Sequence, residues 1–260
     1  MQCKRIALLG LVAATTAWGF SPYENFLLKE KPTRVGLIVA ANSGQETELG
    51  SALNALATEK PARDLRKNGI TNLSSYKQVF AGKTWFMVYF DYEGENYLEA
   101  ASDYESIDAV QALNKWVNPH PRAERYGTRW LQMEWITYIR ASQEKGTPTD
   151  RFAMVTRIKP EKEKEYRTLH QTVWPGVVDQ MVRGNYRHFS IFLVEIGDEI
   201  YEFFYVEYVG SDAAADAKMN NADPVNQRWW KYTDACQTPL PGASGPWLMM
   251  DKVIPEPDAQ

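Results

Sequence analysis

The sequence predicts an α+β protein made of two split β-α-β units in tandem, set sheet against sheet within one chain. Three observations predict it. The order strand, helix, strand, strand, helix, strand occurs twice along the 260 residues, a repeat of a whole supersecondary unit. Each unit contains a hairpin of period-2 apolar alternation, over residues 72–92 and 188–209. In residues 201–209, Tyr-Glu-Phe-Phe-Tyr-Val-Glu-Tyr-Val, both faces of the strand carry aromatic or branched side chains, so neither face suits water. Helices cover one face of such a sheet, and a second sheet is the economical cover for the other.

In chain order, Lys4 and Arg5 precede the apolar run 6–14 and small residues at 14–17, the layout of a cleavable export signal over residues 1–20. That run is shorter than the roughly 20 residues that span a bilayer, so the expectation is a periplasmic or secreted protein and not an integral membrane protein. The first unit, residues 32–141, opens with a strand at 34–40. A helical region at 45–67 follows, where Pro61 permits a new helix start. A hairpin joined by Ala81-Gly82, a second helix at 108–117 and a closing strand at 129–140 complete the unit. Residues 142–150, polar and turn-rich, read as a linker.

The second unit, residues 151–255, repeats the order: a strand from Arg151, a helix over 161–172, a break at Trp174-Pro175 with a short helix after it, a hairpin through Gly197-Asp198, a helical region at 211–235 and a closing strand at 247–253. Local echoes support duplication: Ala81-Gly82 falls where Ile196-Gly197 does, and His120-Pro121-Arg122-Ala123-Glu124-Arg125-Tyr126 parallels Asp223-Pro224-Val225-Asn226-Gln227-Arg228-Trp229.

Composition narrows the partners. The 44% hydrophobic content, with nine Trp and fourteen Tyr, is that of a folded globular protein. Removing the signal takes Cys3, Lys4 and Arg5, leaves Cys236 alone and moves the net charge from −4 to −6. A single cysteine makes no intrachain disulfide. An acidic chain without a basic stripe argues against nucleic acid. No Cys/His or His-Glu metal spacing, no Gly-rich phosphate loop and no nucleophile elbow occurs, so neither metal nor cofactor is expected.

Tyr166 and His170 lie four apart on one helix face. Histidine is the side chain that exchanges protons near neutrality, although a lone histidine on such a helix also serves as ordinary buried packing. His188 is expected on the opposite side of its strand from Phe189, because neighbours alternate. Trp229 and Trp230 in Gln227-Arg228-Trp229-Trp230-Lys231-Tyr232 point about 100° apart on a helix, so that one packs in the core while the other lines a cleft. An indole offers an apolar face to a sugar and an N–H at its edge.

Taken together, Tyr166-Arg167-Thr168-Leu169-His170-Gln171-Thr172-Val173-Trp174-Pro175, then Phe189-Ser190-Ile191-Phe192-Leu193, then Gln227-Arg228-Trp229-Trp230-Lys231-Tyr232 resemble the signature of the L-rhamnose mutarotases. The resemblance covers residues 151–253. It implies a ferredoxin-like unit of a dimeric-type α+β barrel that interconverts the α and β anomers of a 6-deoxy sugar without a cofactor. It implies His170 as the catalytic residue, Tyr166, Trp229 and Trp230 as sugar contacts, and Phe189 at the place of a sugar-binding tyrosine. Phenylalanine keeps the stacking face and loses the hydroxyl, which His188 could replace. Trp174 completes the aromatic group.

The first unit has Leu56 or a neighbour at the place of His170, Lys60-Pro61 at that of Trp174-Pro175 and Tyr126 at that of Trp229. It is therefore expected to be a non-catalytic copy that replaces a partner subunit in an intramolecular pseudo-dimer, with further homodimerisation open. Two other classes fit the residues: an exported carbohydrate-binding protein without catalysis, and a cofactor-free monooxygenase or haem-handling protein on the same scaffold.

Overall fold

The computed structural model describes residues 31–139 and 146–256. The expected export signal and residues 142–145 of the linker lie outside them. No helix among the described residues is long and apolar enough to cross a membrane.

The first half runs β1 (Thr33–Ala41), α1 (Glu46–Ala55), α2 (Glu59–Lys67), β2 (Ile70–Phe80), β3 (Lys83–Tyr92), α3 (Ala100–Glu105), α4 (Asp108–Gln111), β4 (Val117–Asn118), β5 (Leu131–Gln132) and β6 (Glu134–Ile139). The second runs β7 (Asp150–Ile158), α5 (Glu163–Gln171), α6 (Pro175–Arg183), β8 (Tyr186–Ile196), β9 (Glu199–Tyr208), α7 (Ala213–Ala222), α8 (Pro224–Cys236), β10 (Gln237–Thr238), β11 (Leu248–Met249) and β12 (Asp251–Lys252). The expected helix at 108–117 is helical only over α4, with turns at 112–116 and β4 beginning at Val117; the short α3 precedes it. The break at Trp174-Pro175 falls where the sequence places it, with Pro175 opening α6.

Two antiparallel sheets form, in the orders β12-β2-β3-β1-β4 and β10-β7-β9-β8-β6, with β5 added on β1 and β11 on β7. They correct one expectation. Neither unit closes its own sheet with one unbroken strand. The segment expected as the first closing strand divides at Met133: β5 pairs with β1, and β6 crosses to pair with β8 of the other sheet. The second divides at Met250: β11 pairs with β7, and β12 crosses to β2. At the two crossings the Met133 N–H donates to the Gly36 carbonyl at 2.8 Å and the Met250 N–H to the Ala153 carbonyl at 3.0 Å. Each exchanged strand caps an edge that would otherwise present unpaired backbone groups.

The sheets face each other across one core. Trp85, Met87 and Tyr89 from one side meet Tyr201, Phe203 and Tyr205 from the other, while Phe86, Val88 and Phe90 point back to the first helix layer. Tyr89 and Tyr205 stack at 3.5 Å with planes 12° apart. Matching polar groups flank that stack: the Tyr89 hydroxyl donates to Asp91 at 3.2 Å and the Tyr205 hydroxyl to Glu207 at 2.9 Å. Arg34 pairs with Asp91 at 2.6 Å, and Arg151 lies 3.9 Å from Glu207. The β2 and β8 bulges also correspond, with Asn72 at φ 54° and His188 at φ 53°. These are α+β units in tandem, enclosing a barrel-like interior within one chain.

The helix layers differ. Among the described residues, 21 buried apolar side chains fill the space between the first sheet and its helices, against eight on the second side. The second side therefore keeps a cavity.

Gly36 of β1 packs against Met133 and against Phe192 of the opposite sheet. A Cβ there would lie 2.8 Å from Met133 Cε and 3.0 Å from the Phe192 ring. Gly36→Val is expected to destabilise the fold by about 1–3 kcal/mol through overpacking, measured as a lower midpoint in denaturant unfolding; an unchanged midpoint would contradict the close approach of the sheets.

Candidate active site

The cavity, about 460 Å³, lies between the outer face of the second sheet and helices α5, α6, α7 and α8. Its sheet floor is aromatic, with Phe152, Phe189 and Phe204, and Trp247 closes one side. Phe189 and Phe204 are 5.1 Å apart, and Trp247 meets Phe204 edge-on at 4.7 Å. The floor follows from period-2 alternation in β9: Phe204 and Val206 face the helices, while Phe203 and Tyr205 face the other sheet.

His170, Tyr166, Trp229 and Trp230 all line this one cavity. Helix α5 brings Tyr166 and His170 to the same face, and their rings lie 4.2 Å apart. Trp229 meets the His170 ring edge-on at 5.4 Å. Helix α8 starts at Pro224 with Asp223 as its cap, the carboxylate accepting from Val225 N–H at 2.8 Å and Asn226 N–H at 3.0 Å, and this start aims Trp229 inward. Both indoles border the cavity, although Trp229 is buried and Trp230 partly exposed.

His170 Nδ1 lies 3.0 Å from the Tyr166 carbonyl oxygen. A carbonyl only accepts, so Nδ1 carries the proton and Nε2 is the basic nitrogen of the neutral ring. Burial pushes His170 down to about 4, against the carbonyl hydrogen bond that favours the charged form, and the ring is neutral at pH 7. The exchanged strand β6 steadies this helix from below. Thr137 Oγ1 donates to the His170 carbonyl at 2.6 Å, and Arg167 grips Glu134 with two bonds of 2.6 and 2.7 Å. Ile139 of β6 lines the cavity itself.

Two of the residues expected at the cavity, His188 and Trp174, lie outside it. Tyr166 lines the cavity, and its buried hydroxyl donates to Glu202. Burial and the neighbouring Glu202 hold Tyr166 well above the usual phenol range, which leaves it no role as a base. His188 lies away from the cavity. The β8 bulge turns it between the sheets, where its Nδ1 accepts from Tyr138 Oη at 2.7 Å and from Arg34 at 3.3 Å, and its ring stacks on Tyr138. Trp174 also stands behind the wall, edge-on to Trp229 at 5.4 Å and to Tyr232 at 5.8 Å, because the proline after it turns the chain outward.

The sequence reading missed Glu202. It is fully buried, with Oε2 accepting from Gln237 Nε2 at 2.9 Å and Oε1 from Tyr166. Burial pushes it up to about 8, against those two hydrogen bonds. The signal was present: a carboxylate at 202 sits on a strand whose faces both have to be covered. Gln237 and Asn226, both buried and both on the cavity wall, were missed as well.

Known proteins resemble this half of the chain. Residues 151–254 match the family model described as L-rhamnose mutarotase. The chain is 34% identical over 82 residues to an L-rhamnose mutarotase of Pectobacterium atrosepticum, covering 32% of this chain and 74% of that protein. It is 30% identical over 81 residues to that of Bacillus subtilis, covering 31% and 73%, and 27% identical over 82 residues to that of Oceanobacillus iheyensis, covering 32% and 74%. Among solved structures, a candidate monooxygenase of Fusobacterium nucleatum aligns with a TM-score of 0.47 and 12% identity, over 85% of this chain and 91% of that one.

The folded His170 value lies below the ordinary one, so the unfolded chain takes up this proton first. Its contribution to stability is present above pH 6.5 and is lost as pH falls from 6.5 to about 4, a change of about 3 kcal/mol. NMR of the labelled imidazole is expected to show a neutral ring down to pH 5 and a midpoint near 4; a midpoint of 6 or above would place the ring in water.

Proposed function

We propose, for a chain that belongs to the L-rhamnose mutarotase family, that the cavity under α5 and α8 holds a 6-deoxy aldose whose anomers His170 interconverts. The chain is an aldose mutarotase; the assignment of residues and of sugar is ours. The observation that carries it is the presence of a neutral, buried imidazole and two indoles on one cavity wall.

Mutarotation breaks the bond between the anomeric carbon and the ring oxygen, then remakes it on the other face. A neutral His170 takes the proton of the anomeric hydroxyl while a water protonates the ring oxygen and is left as hydroxide, which gives the open-chain aldehyde and an imidazolium. After rotation about the bond from C1 to C2, the imidazolium returns its proton to the carbonyl oxygen as the sugar hydroxyl closes the ring and gives its own proton back to that hydroxide, restoring the water. An imidazolium with a pKa near 4 is more acidic than a free one and gives that proton up readily. Neutrality at pH 7 favours the base role for His170 in the first step.

The aromatic floor supplies the apolar surface that a C6 methyl and the C–H face of a deoxy sugar need. Phe189 contributes to it with a face and no hydroxyl. The first half acts in place of a partner subunit in a pseudo-dimer: its helix layer is packed solid, and its exchanged strand steadies the helix that carries His170. The basic start and apolar run of residues 1–20 support an enzyme that works outside the cytoplasm.

His170→Ala is expected to lower the rate of L-rhamnose anomer exchange by about 100-fold or more while the near-ultraviolet circular dichroism stays that of the wild type. Saturation-transfer NMR measures it. Exchange at the wild-type rate would remove the imidazole from the mechanism.

A further inference from the structure

A fully buried carboxyl links the histidine helix to the cavity wall. Glu202, on the helix-facing side of β9, holds the Tyr166 hydroxyl with one oxygen and Gln237 Nε2 with the other, the latter at 2.9 Å. On the Tyr166 side the consequence is orientation. The Tyr166 ring lies against the His170 ring at 4.2 Å, and the Tyr166 carbonyl fixes the His170 Nδ1 proton, so a clamp on the phenol is a clamp on the imidazole. On the Gln237 side the consequence is polarity. With its N–H₂ engaged by Glu202, Gln237 turns its amide oxygen the other way, and that oxygen has no partner among the described residues.

Asn226 shows the same arrangement. Its Nδ2 donates to the Asn220 carbonyl at 3.3 Å, which only accepts, and its Oδ1 has no partner among the described residues. Both side chains are more than nine-tenths buried and both belong to the wall of the cavity. Buried acceptors find partners in folded proteins as a rule, and a sugar hydroxyl entering the cavity is a donor of the right kind.

We propose that Glu202 is a positioning residue that clamps Tyr166 under His170 and turns the Gln237 amide oxygen to the cavity, where Gln237 and Asn226 accept hydrogen bonds from two hydroxyls of the sugar. This rests on the reading of the cavity as the sugar site. It assigns the substrate as a sugar with two hydroxyl donors, one reaching Gln237 at the edge of the sheet and one reaching Asn226 on α8. It also gives the Tyr166 hydroxyl a task other than holding the sugar.

Glu202→Gln separates the two tasks. The new amide oxygen still accepts from Tyr166, but the new N–H₂ faces the N–H₂ of Gln237, whose amide has to turn over and present N–H₂ to the cavity. The expected result on the full chain, read by saturation-transfer NMR with L-rhamnose, is a KM raised roughly tenfold with kcat within about twofold of the wild type. Gln237→Met should give the same split. Glu202→Met releases Tyr166 as well and should lower kcat roughly tenfold in addition to raising KM.

A wild-type chain that exchanges anomers while Glu202→Gln and Gln237→Met, both folded by near-ultraviolet circular dichroism, keep its KM would overturn this inference alone. A Glu202→Met chain that melts earlier yet keeps kcat would overturn the positioning role; should that variant not fold, the other two decide. A wild-type chain without exchange above buffer would overturn the sugar reading and this inference with it.

Discussion

Two sheets laid face to face leave their inner surfaces no water, and the rest of the molecule follows from how that space is filled. Tyr89 and Tyr205 stack at its middle, with each phenol satisfied by a carboxylate two residues along its own strand. Those carboxylates are then balanced by Arg34 and Arg151. A buried charge that lost its partner would destabilise the fold severely, so the inner network ties the two halves together in one arrangement. His188 belongs to that network and not to the cavity.

The exchange of β6 and β12 makes the halves interdependent. Through Thr137 and Glu134, β6 holds the C-terminal end and the middle of α5, while Ile136 joins the small core beneath it. The candidate site is thus built on a strand from the half that carries none of its chemistry. Under α1 to α4, Phe90, Tyr104 and Trp130 occupy the space that the cavity takes in the second half; the pocket of about 650 Å³ that the first half does carry is polar, lined by residues such as Ser102, Gln111 and Arg129.

Inside the second half, desolvation reverses the ordinary order of two titrating groups. A carboxyl normally ionises well below an imidazolium; here burial moves Glu202 up to about 8 and His170 down to about 4. Both shifts remove charge, as an apolar enclosure requires. His170 lines the cavity, Glu202 lies behind it, and Tyr166 stands between them. Groups displaced in opposite directions by one environment are a usual mark of proton-transfer sites.

The sequence by itself determined the tandem α+β order, the hairpins, the helix break at Trp174-Pro175 and the pairing of Tyr166 with His170, because each depends on spacing within a few residues: period 2 in strands, period 3.6 in helices, and the missing N–H of proline. Only the tertiary structure decided that the closing strands divide at Met133 and Met250, that Trp174 backs Trp229 without entering the cavity, that a bulge turns His188 between the sheets, and that Glu202 holds Tyr166 and Gln237. Those outcomes depend on strand partners and burial supplied by segments far apart in the chain. Local pattern carries no information about which distant edge a strand will cap or how much water a carboxyl will lose.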